Sequence, residues 1–208
     1  AAFFLTFSRG ALFVGLPAGL LFLLLLRGRR ALWPALAALL VIALALIPFV
    51  SAERFAGTFD LSQGTAFFRL KLWQSTINML AEHPLTGVGL DNFLYAYRTR
   101  YVLPEASAEL DLSHPHNIVL DFWTRLGLGG VLLLLWLLVA FFRQGIGRYC
   151  RLPEGNDRAL LLGLLAAMVA ALAHGLIDHS FFLVDLAFVF VLILAAAQPS
   201  KSPGEIHA

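Results

Sequence analysis

Residues 67–93 read FFRLKLWQSTINMLAEHPLTGVGLDNF, and this stretch decides how the rest of the chain is arranged. It lies in a polar loop, Ser51 to Asn117, between two parts of the chain that read as membrane helix. Apolar residues recur with a helical period over 66–82, which predicts an amphipathic helix on the outer membrane surface. Pro84 follows as a stop signal for this helix.

The predicted helix has two faces of different character. Arg69 lies at the edge of the apolar stripe, where a lipid phosphate would be found if the stripe packs on a membrane. The alternative is an ordinary surface arginine. The apolar stripe comprises Ala66, Leu70, Trp73, Ile77 and Leu80, and the polar face comprises Lys71, Gln74, Ser75, Asn78 and Glu82.

Composition places the chain among membrane proteins. Its 208 residues are 60% hydrophobic and 13% charged, with a mean hydropathy of +0.81. Soluble domains carry about 25% charged residues, so we predict an all-α, polytopic membrane protein. The net charge of +2 is modest and no basic block interleaves with aromatic residues, so nucleic acid is not a predicted partner. The single cysteine excludes an intrachain disulfide.

Five membrane spans are predicted, at residues 1–26, 31–50, 117–142, 159–177 and 181–197. Two spans thus precede the loop (1–50), the loop with its interfacial helix covers 51–117, three spans follow (118–197), and 198–208 form a tail. The chain starts inside an apolar run without Met. We therefore expect it to be the C-terminal part of a longer membrane protein.

Arginine placement predicts the orientation. Basic residues concentrate in the two short connections and the tail, which five spans put on one side of the membrane, so that side is predicted to be cytoplasmic. The long loop, with five basic and seven acidic residues, has a net charge of −2 and is predicted to be periplasmic. The basic residues concerned are Arg27, Arg29, Arg30, Arg143, Arg148, Arg151, Arg158 and Lys201.

Arg9 lies inside the first predicted span, where a charge costs about 2.5 kcal/mol or more. It precedes Leu26 by 17 residues, or roughly 26 Å of helix, which places it near the outer boundary. It either extends to the headgroups or faces a cavity and holds an anion. Together with Arg69 it would suit a diphosphate, because guanidinium groups bind phosphate oxygens bidentately.

His114 and His116 occur in the sequence SHPHN, just before the third span. A neutral histidine can accept a proton from a hydroxyl at neutral pH. The alternatives are ordinary loop histidines or a metal site, but no further ligand spacing supports a metal, and we predict none.

Other charged residues are predicted to be structural. Asp121 and Arg125 are spaced i, i+4 and should form an ion pair. A polar cluster near the last turn is expected to have supporting roles, with Arg9 or Arg125 as a candidate partner of its Asp185. Trp73 is interpreted as a packing residue. The cluster is His174, Asp178, His179 and Asp185.

Three stretches carry a resemblance to a known family: Ser8-Arg9-Gly10, Arg69 with Trp73 followed by HPLTGVGLDNF, and His116-Asn117 followed by RLGLGG at 125–130. With these motifs the chain resembles the C-terminal half of the O-antigen ligase and polymerase superfamily of bacterial envelope glycosyltransferases. The resemblance extends from Ser8 to the fifth span.

The resemblance implies a multi-pass enzyme of the bacterial inner membrane with further helices upstream. It implies inverting transfer at the periplasmic face, without metal or cofactor, from a glycan on undecaprenyl diphosphate to an acceptor such as lipid A-core. Arg9 and Arg69 would then hold the diphosphate, and His116 would be the general base. Candidate supporting residues are His114, Asn117, Arg125 and Asp185.

Alternatives within the same chemistry are polymerisation, with a second lipid-linked glycan as acceptor, and protein O-glycosylation. A different class, a transporter or membrane scaffold, would use the intramembrane charges for a pathway or for assembly. In that class His116 should be replaceable.

Overall fold

The computed structural model describes residue 8 and residues 10–50, 63–178 and 181–198. Within these ranges all regular structure is helical and no strand occurs, which confirms the predicted all-α class. Arg9, and the ends of the chain beyond these ranges, lie outside the described residues.

The N-terminal part forms two helices. Helix α1 begins with a π-helical turn, Ala11–Gly15, and continues as α-helix over Leu16–Arg27. Helix α2 follows at once over Arg29–Val50. Both are strongly apolar, as the hydropathy of this region predicts.

The loop folds into a small helical unit. Helix α3 covers Gly64–Glu82, helix α4 covers Phe93–Ala96 and continues as a π-helical turn over Tyr97–Tyr101, and a 3₁₀ turn follows at Pro104–Ala106. Apolar side chains from α3 and α4 form a shared core, so the loop has a defined fold. This core contains Leu72, Met79, Phe93, Tyr97 and Tyr101.

The predicted helix over 66–82 is confirmed, but its faces differ from the prediction. Ser75, assigned to the polar face, is fully buried beside Thr76 and Met79, because this side of α3 packs on the loop core. Leu70 and Ile77, on the predicted stripe, are 43% and 58% exposed. The location of α3 on a membrane surface stays a prediction.

The C-terminal part forms three helices: α5 over Ile118–Arg151, α6 over Asn156–Gly175 and α7 over Val184–Ala196. Helix α1 runs antiparallel to α6. A Cβ added at Gly15 would lie 2.9 Å from the Ala170 carbonyl oxygen, and one at Gly19 would lie 3.1 Å from that of Ala166. Glycine therefore permits the close approach of these two helices.

Every predicted span overlaps a helix. Helices α5 and α6 are long and apolar enough to cross a membrane, whereas the apolar stretches Ala11–Arg27, Leu32–Val41 and Leu186–Ala196 are shorter. The division of the chain into five spans and a periplasmic loop stays a prediction.

The predicted spans 117–142 and 159–177 leave a basic loop at 143–158, and this loop is wrong in extent. Helix α5 continues to Arg151, so only 152–155 connect it to α6. Tyr149 is buried against α6, and the Arg148 Nη1 donates to the Ala197 carbonyl oxygen over 2.9 Å. These contacts stabilise the additional turns.

Helix α5 is broken at Gly127, whose φ is 68° and ψ −164°. The segment after α3 docks into this kink. The Leu85 carbonyl oxygen accepts from the Leu128 amide over 3.1 Å, and the Thr124 carbonyl oxygen accepts from the Val88 amide over 2.8 Å. The loop unit and α5 are thus joined through backbone hydrogen bonds.

We expect Gly127→Ala to destabilise the protein by more than about 1 kcal/mol, because positive φ strains an alanine. The added Cβ would also lie 2.1 Å from the Leu85 carbonyl oxygen. Thermal unfolding in detergent tests this. Gly129→Ala is the matched control, since a Cβ there meets nothing within 4 Å. Equal melting temperatures for the two variants would contradict the docking of the loop into the kink.

Candidate functional site

The carboxylate of Asp178, which follows α6, contacts one side chain from α3 and one from the segment that precedes α5. Its Oδ2 lies 2.9 Å from Nη2 of Arg69 on α3, and its Oδ1 lies 3.0 Å from Nδ1 of His116. Asp178 follows α6, and its amide donates to the His174 carbonyl oxygen over 3.0 Å. The structure therefore brings Arg69 and His116, which are 47 residues apart, to one side chain.

The backbone around His116 is held from both sides. Pro115 is fully buried, and its carbonyl oxygen accepts from Nε1 of Trp73 over 2.9 Å. Asn117 caps α5, since its Oδ1 accepts from the Val119 and Leu120 amides over 3.0 and 3.1 Å. Its Nδ2 donates to the Leu176 carbonyl oxygen over 2.8 Å.

His116 itself has a φ of 50°, a left-handed conformation that costs a non-glycine residue about 1 kcal/mol. The hydrogen bonds of Trp73 and Asn117 on either side maintain it. The conformation directs the ring of His116 to Asp178, so the strain accompanies a specific orientation of one side chain.

Arg69 and Trp73 are one helical turn apart on α3 and lie on the same side of the helix. Arg69 reaches Asp178, while Trp73 reaches the loop before His116. The buried side of α3, with Leu72 and Thr76, fixes the position of both. Trp73, predicted to be a packing residue, is thus a hydrogen-bond donor that positions the histidine loop.

The charges of the site stabilise one another. The hydrogen bond from His116, together with the positive charge of Arg69, lowers the pKa of Asp178 to about 2, although burial opposes this. Asp178 is therefore ionised at neutral pH. A carboxylate only accepts hydrogen bonds, so Nδ1 of His116 is the donor. This leaves Nε2 of His116 as the ring nitrogen that can accept a proton.

His114 lies against His116, with ring centroids 4.3 Å apart. Burial, together with the neighbouring His116 and Arg125, lowers the pKa of His114 to about 4. His114 is therefore neutral at physiological pH. It contacts the predicted base and keeps a second positive charge from forming beside it.

The first helix reaches the same region. Oγ of Ser8 lies 3.3 Å from Nε2 of His174, and a Cβ added at Gly10 would lie 2.8 Å from Cδ2 of that ring. His174 is four residues before Asp178. Arg9, between Ser8 and Gly10 in sequence, lies outside the described residues, so its predicted part in the site stays a prediction.

Arg125 connects α5 to the loop. Its Nε donates to Asp121 over 2.8 Å, which confirms the predicted i, i+4 pair, and its Nη1 lies 2.5 Å from Asp91. Its guanidinium also stands 4.9 Å from the ring of Phe182. Through these contacts Arg125 links the loop to α5. Asp185 belongs to α7, but its side chain and His179 lie outside the described residues.

A sequence model of a protein family, described as O-Antigen ligase, matches residues 1–135. The chain belongs to the O-antigen ligase family. Among curated proteins, none matches the chain. Membership implies a membrane glycosyltransferase of the O-antigen ligase and polymerase type, found in the bacterial inner membrane, and it confirms the resemblance drawn from the sequence.

The matched part of this O-antigen ligase family chain contains Arg69 and His116, whereas Asp178 lies beyond it. Sequence reasoning assigned Asp178 to a structural cluster and so missed its central place. The sequence does contain a signal for this role. His174 and Asp178 are spaced i, i+4 in the polar connection between the last two predicted spans. The five predicted spans put this connection on the same side of the membrane as His116.

The lowered pKa of His114 predicts that the free energy of unfolding decreases as the pH is lowered. Between about pH 6.5 and 4 the unfolded chain binds a proton at this ring and the folded chain does not, so acid favours unfolding. His114→Gln should flatten the dependence of melting temperature on pH in this window. His83→Gln, at an exposed histidine, is the control. Parallel curves for wild type and His114→Gln would contradict the assignment.

Proposed function

We propose that this chain activates the acceptor in a transfer of glycan from undecaprenyl diphosphate to a hydroxyl at the periplasmic face of the inner membrane. The most direct form is ligation of O-antigen to lipid A-core. The observation that carries the proposal is the contact of Asp178 with both His116 and Arg69. Family membership supports the reaction type.

His116 is the general base in this proposal. Asp178 accepts from Nδ1 and so favours the tautomer in which Nε2 has a free lone pair. Nε2 takes the proton of the acceptor hydroxyl while the oxygen bonds to the anomeric carbon of the donor sugar. Asp178 then stabilises the imidazolium that forms, as the carboxylate does in other histidine–carboxylate pairs.

The bond between the anomeric carbon and the diphosphate oxygen breaks in the same step, and the diphosphate leaves with the electron pair. A single displacement of this kind inverts the anomeric centre. Arg69 stabilises the developing negative charge. One of its nitrogens contacts Asp178 at 2.9 Å, and a guanidinium has further N–H donors for phosphate oxygens.

The charges of the site indicate that a second cation is needed to bind the diphosphate. Arg69 and Asp178 together are neutral, so Arg69 alone gives little net attraction for a diphosphate. Arg9 supplies the additional positive charge in this proposal. Support comes from its sequence neighbours Ser8 and Gly10, which both approach His174, one turn before Asp178. Two arginines then replace the metal ion that many diphosphate sites use.

The site also fits the proposed orientation. Arg69, His116 and Asp178 lie at the end of α6 that is remote from Arg27, Arg30 and the other arginine-rich segments. The positive-inside rule assigns the arginine-rich end to the cytoplasm. We therefore propose a multi-pass arrangement with the 51–117 loop and the site in the periplasm, where lipid-linked glycans and lipid A-core would be accessible.

The proposal predicts that His116→Ala abolishes transfer, with a loss of about 10²-fold or more as for other general bases. The measurement is a gel profile of surface glycans after the full-length gene is deleted in its host and variants are restored. Gln74→Ala, at an exposed position on α3, is the control and should restore the wild-type profile. Normal product from His116→Ala at a normal protein level would overturn the role of His116.

The deletion strain itself distinguishes the acceptors. Core without polysaccharide, with lipid-linked chains accumulating, indicates ligation, whereas core with a single repeat unit indicates polymerisation. An unchanged profile would contradict both. Metal independence is tested by adding EDTA to the purified transfer reaction. Loss of transfer with EDTA would contradict a mechanism without a metal ion.

A further inference from the structure

A cavity of about 350 Å³ lies at the end of the helix bundle that is remote from Asp178. It forms where the end of α1, the connection to α2 and the start of α6 meet. Gly10 of α1 approaches His174 at the site end, while Leu26 of α1 lines this cavity. The 16 residues between them span roughly 24 Å of helix, so the two sites are separate.

The cavity has an excess of positive charge. Arg27, Arg30 and Arg158 line it together with one carboxylate, Glu154. Nη1 of Arg30 lies 2.5 Å from Oε1 of Glu154, and both side chains are largely exposed. Among the described residues, no carboxylate pairs with Arg27 or Arg158. The lining therefore has a net charge of about +2 for an anion to balance.

Arg158 is held in place for binding. Its guanidinium stands 4.6 Å from the centre of the Tyr149 ring, and Tyr149 is itself buried in the core. Its Nε is buried and has no hydrogen-bond acceptor among the described residues. Buried N–H groups are normally paired, so this donor points to an acceptor other than the described residues.

The backbone at the cavity favours an anion as well. Helix α6 has 20 residues and starts beside Gly155, which lines the cavity and offers no side-chain cap. The first amides of such a helix and its dipole attract negative charge. Guanidinium groups bind phosphate with two parallel hydrogen bonds, so phosphate is the anion that the three arginines fit best.

The other walls are apolar and indicate the source of the phosphate. Leu26, Ala159 and Leu162 line the cavity beside the arginines, and they belong to the apolar helices α1 and α6. A volume of about 350 Å³ exceeds what a lone inorganic anion fills and matches small-molecule sites. A lipid headgroup with the start of its acyl chains has both polar and apolar parts at this depth.

We propose that this cavity binds the phosphate of an anionic phospholipid headgroup, on the arginine-rich face of the membrane. The bound lipid connects α1, α2 and α6 at the end of the bundle remote from Asp178. Such a site would make the stability of the bundle depend on the lipid composition of the membrane.

The test uses full-length protein in nanodiscs of phosphatidylcholine with or without phosphatidylglycerol. Anionic lipid should raise the melting temperature of the wild type. Arg158→Gln should lose most of that rise, and its affinity for phosphatidylglycerol in native mass spectrometry should fall about tenfold or more, as expected for one lost charged hydrogen bond. Arg143→Gln is the matched control, an exposed arginine of the same region outside the cavity.

If Arg158→Gln does not fold, the double variant Arg27→Gln/Arg30→Gln replaces it, because Arg27 and Arg30 are both exposed. An equal response of the cavity variant and Arg143→Gln to anionic lipid would overturn the proposal. Glycerol phosphate added to phosphatidylcholine nanodiscs is the second arm. A full rise in melting temperature there would overturn a lipid as the ligand, and no rise supports it.

Discussion

The site depends on one carboxylate that contacts two groups from distant parts of the chain. Asp178 accepts from His116 over 3.0 Å and lies 2.9 Å from a nitrogen of Arg69. Both contacts favour its charged form and lower its pKa to about 2. Because the two partners use different oxygens, one side chain orients the proposed base and anchors the proposed phosphate-binding arginine at once.

The rest of the structure serves to bring these three elements together. The α3 helix fixes Arg69 and, through Trp73, the loop that precedes His116. The kink at Gly127 joins the loop unit to α5, which begins directly after His116. Close packing of α1 on α6 positions the turn with Asp178. The chain connections and the backbone hydrogen bonds therefore place Arg69, His116 and Asp178 in one region at the end of the apolar bundle.

Much of this could be predicted from the sequence, because hydropathy and helical period depend on local composition. The all-α class, the helix that carries Arg69 and the Asp121–Arg125 pair are local features of this kind. The buried side of α3 was not predictable, since burial of Ser75 depends on a core contributed by α4, which is distant in sequence. Asp178 was missed for the same reason: its two partners are 62 and 109 residues away.

A double-mutant cycle on the transfer rate, with Arg69→Lys and Asp178→Asn, tests most directly whether these groups form one functional unit. Contacting groups show coupling, whereas independent ones have additive free energies. The structure predicts that the double variant loses clearly less than the product of the two single losses. Purely multiplicative losses at normal protein levels would contradict a site that is organised by Asp178.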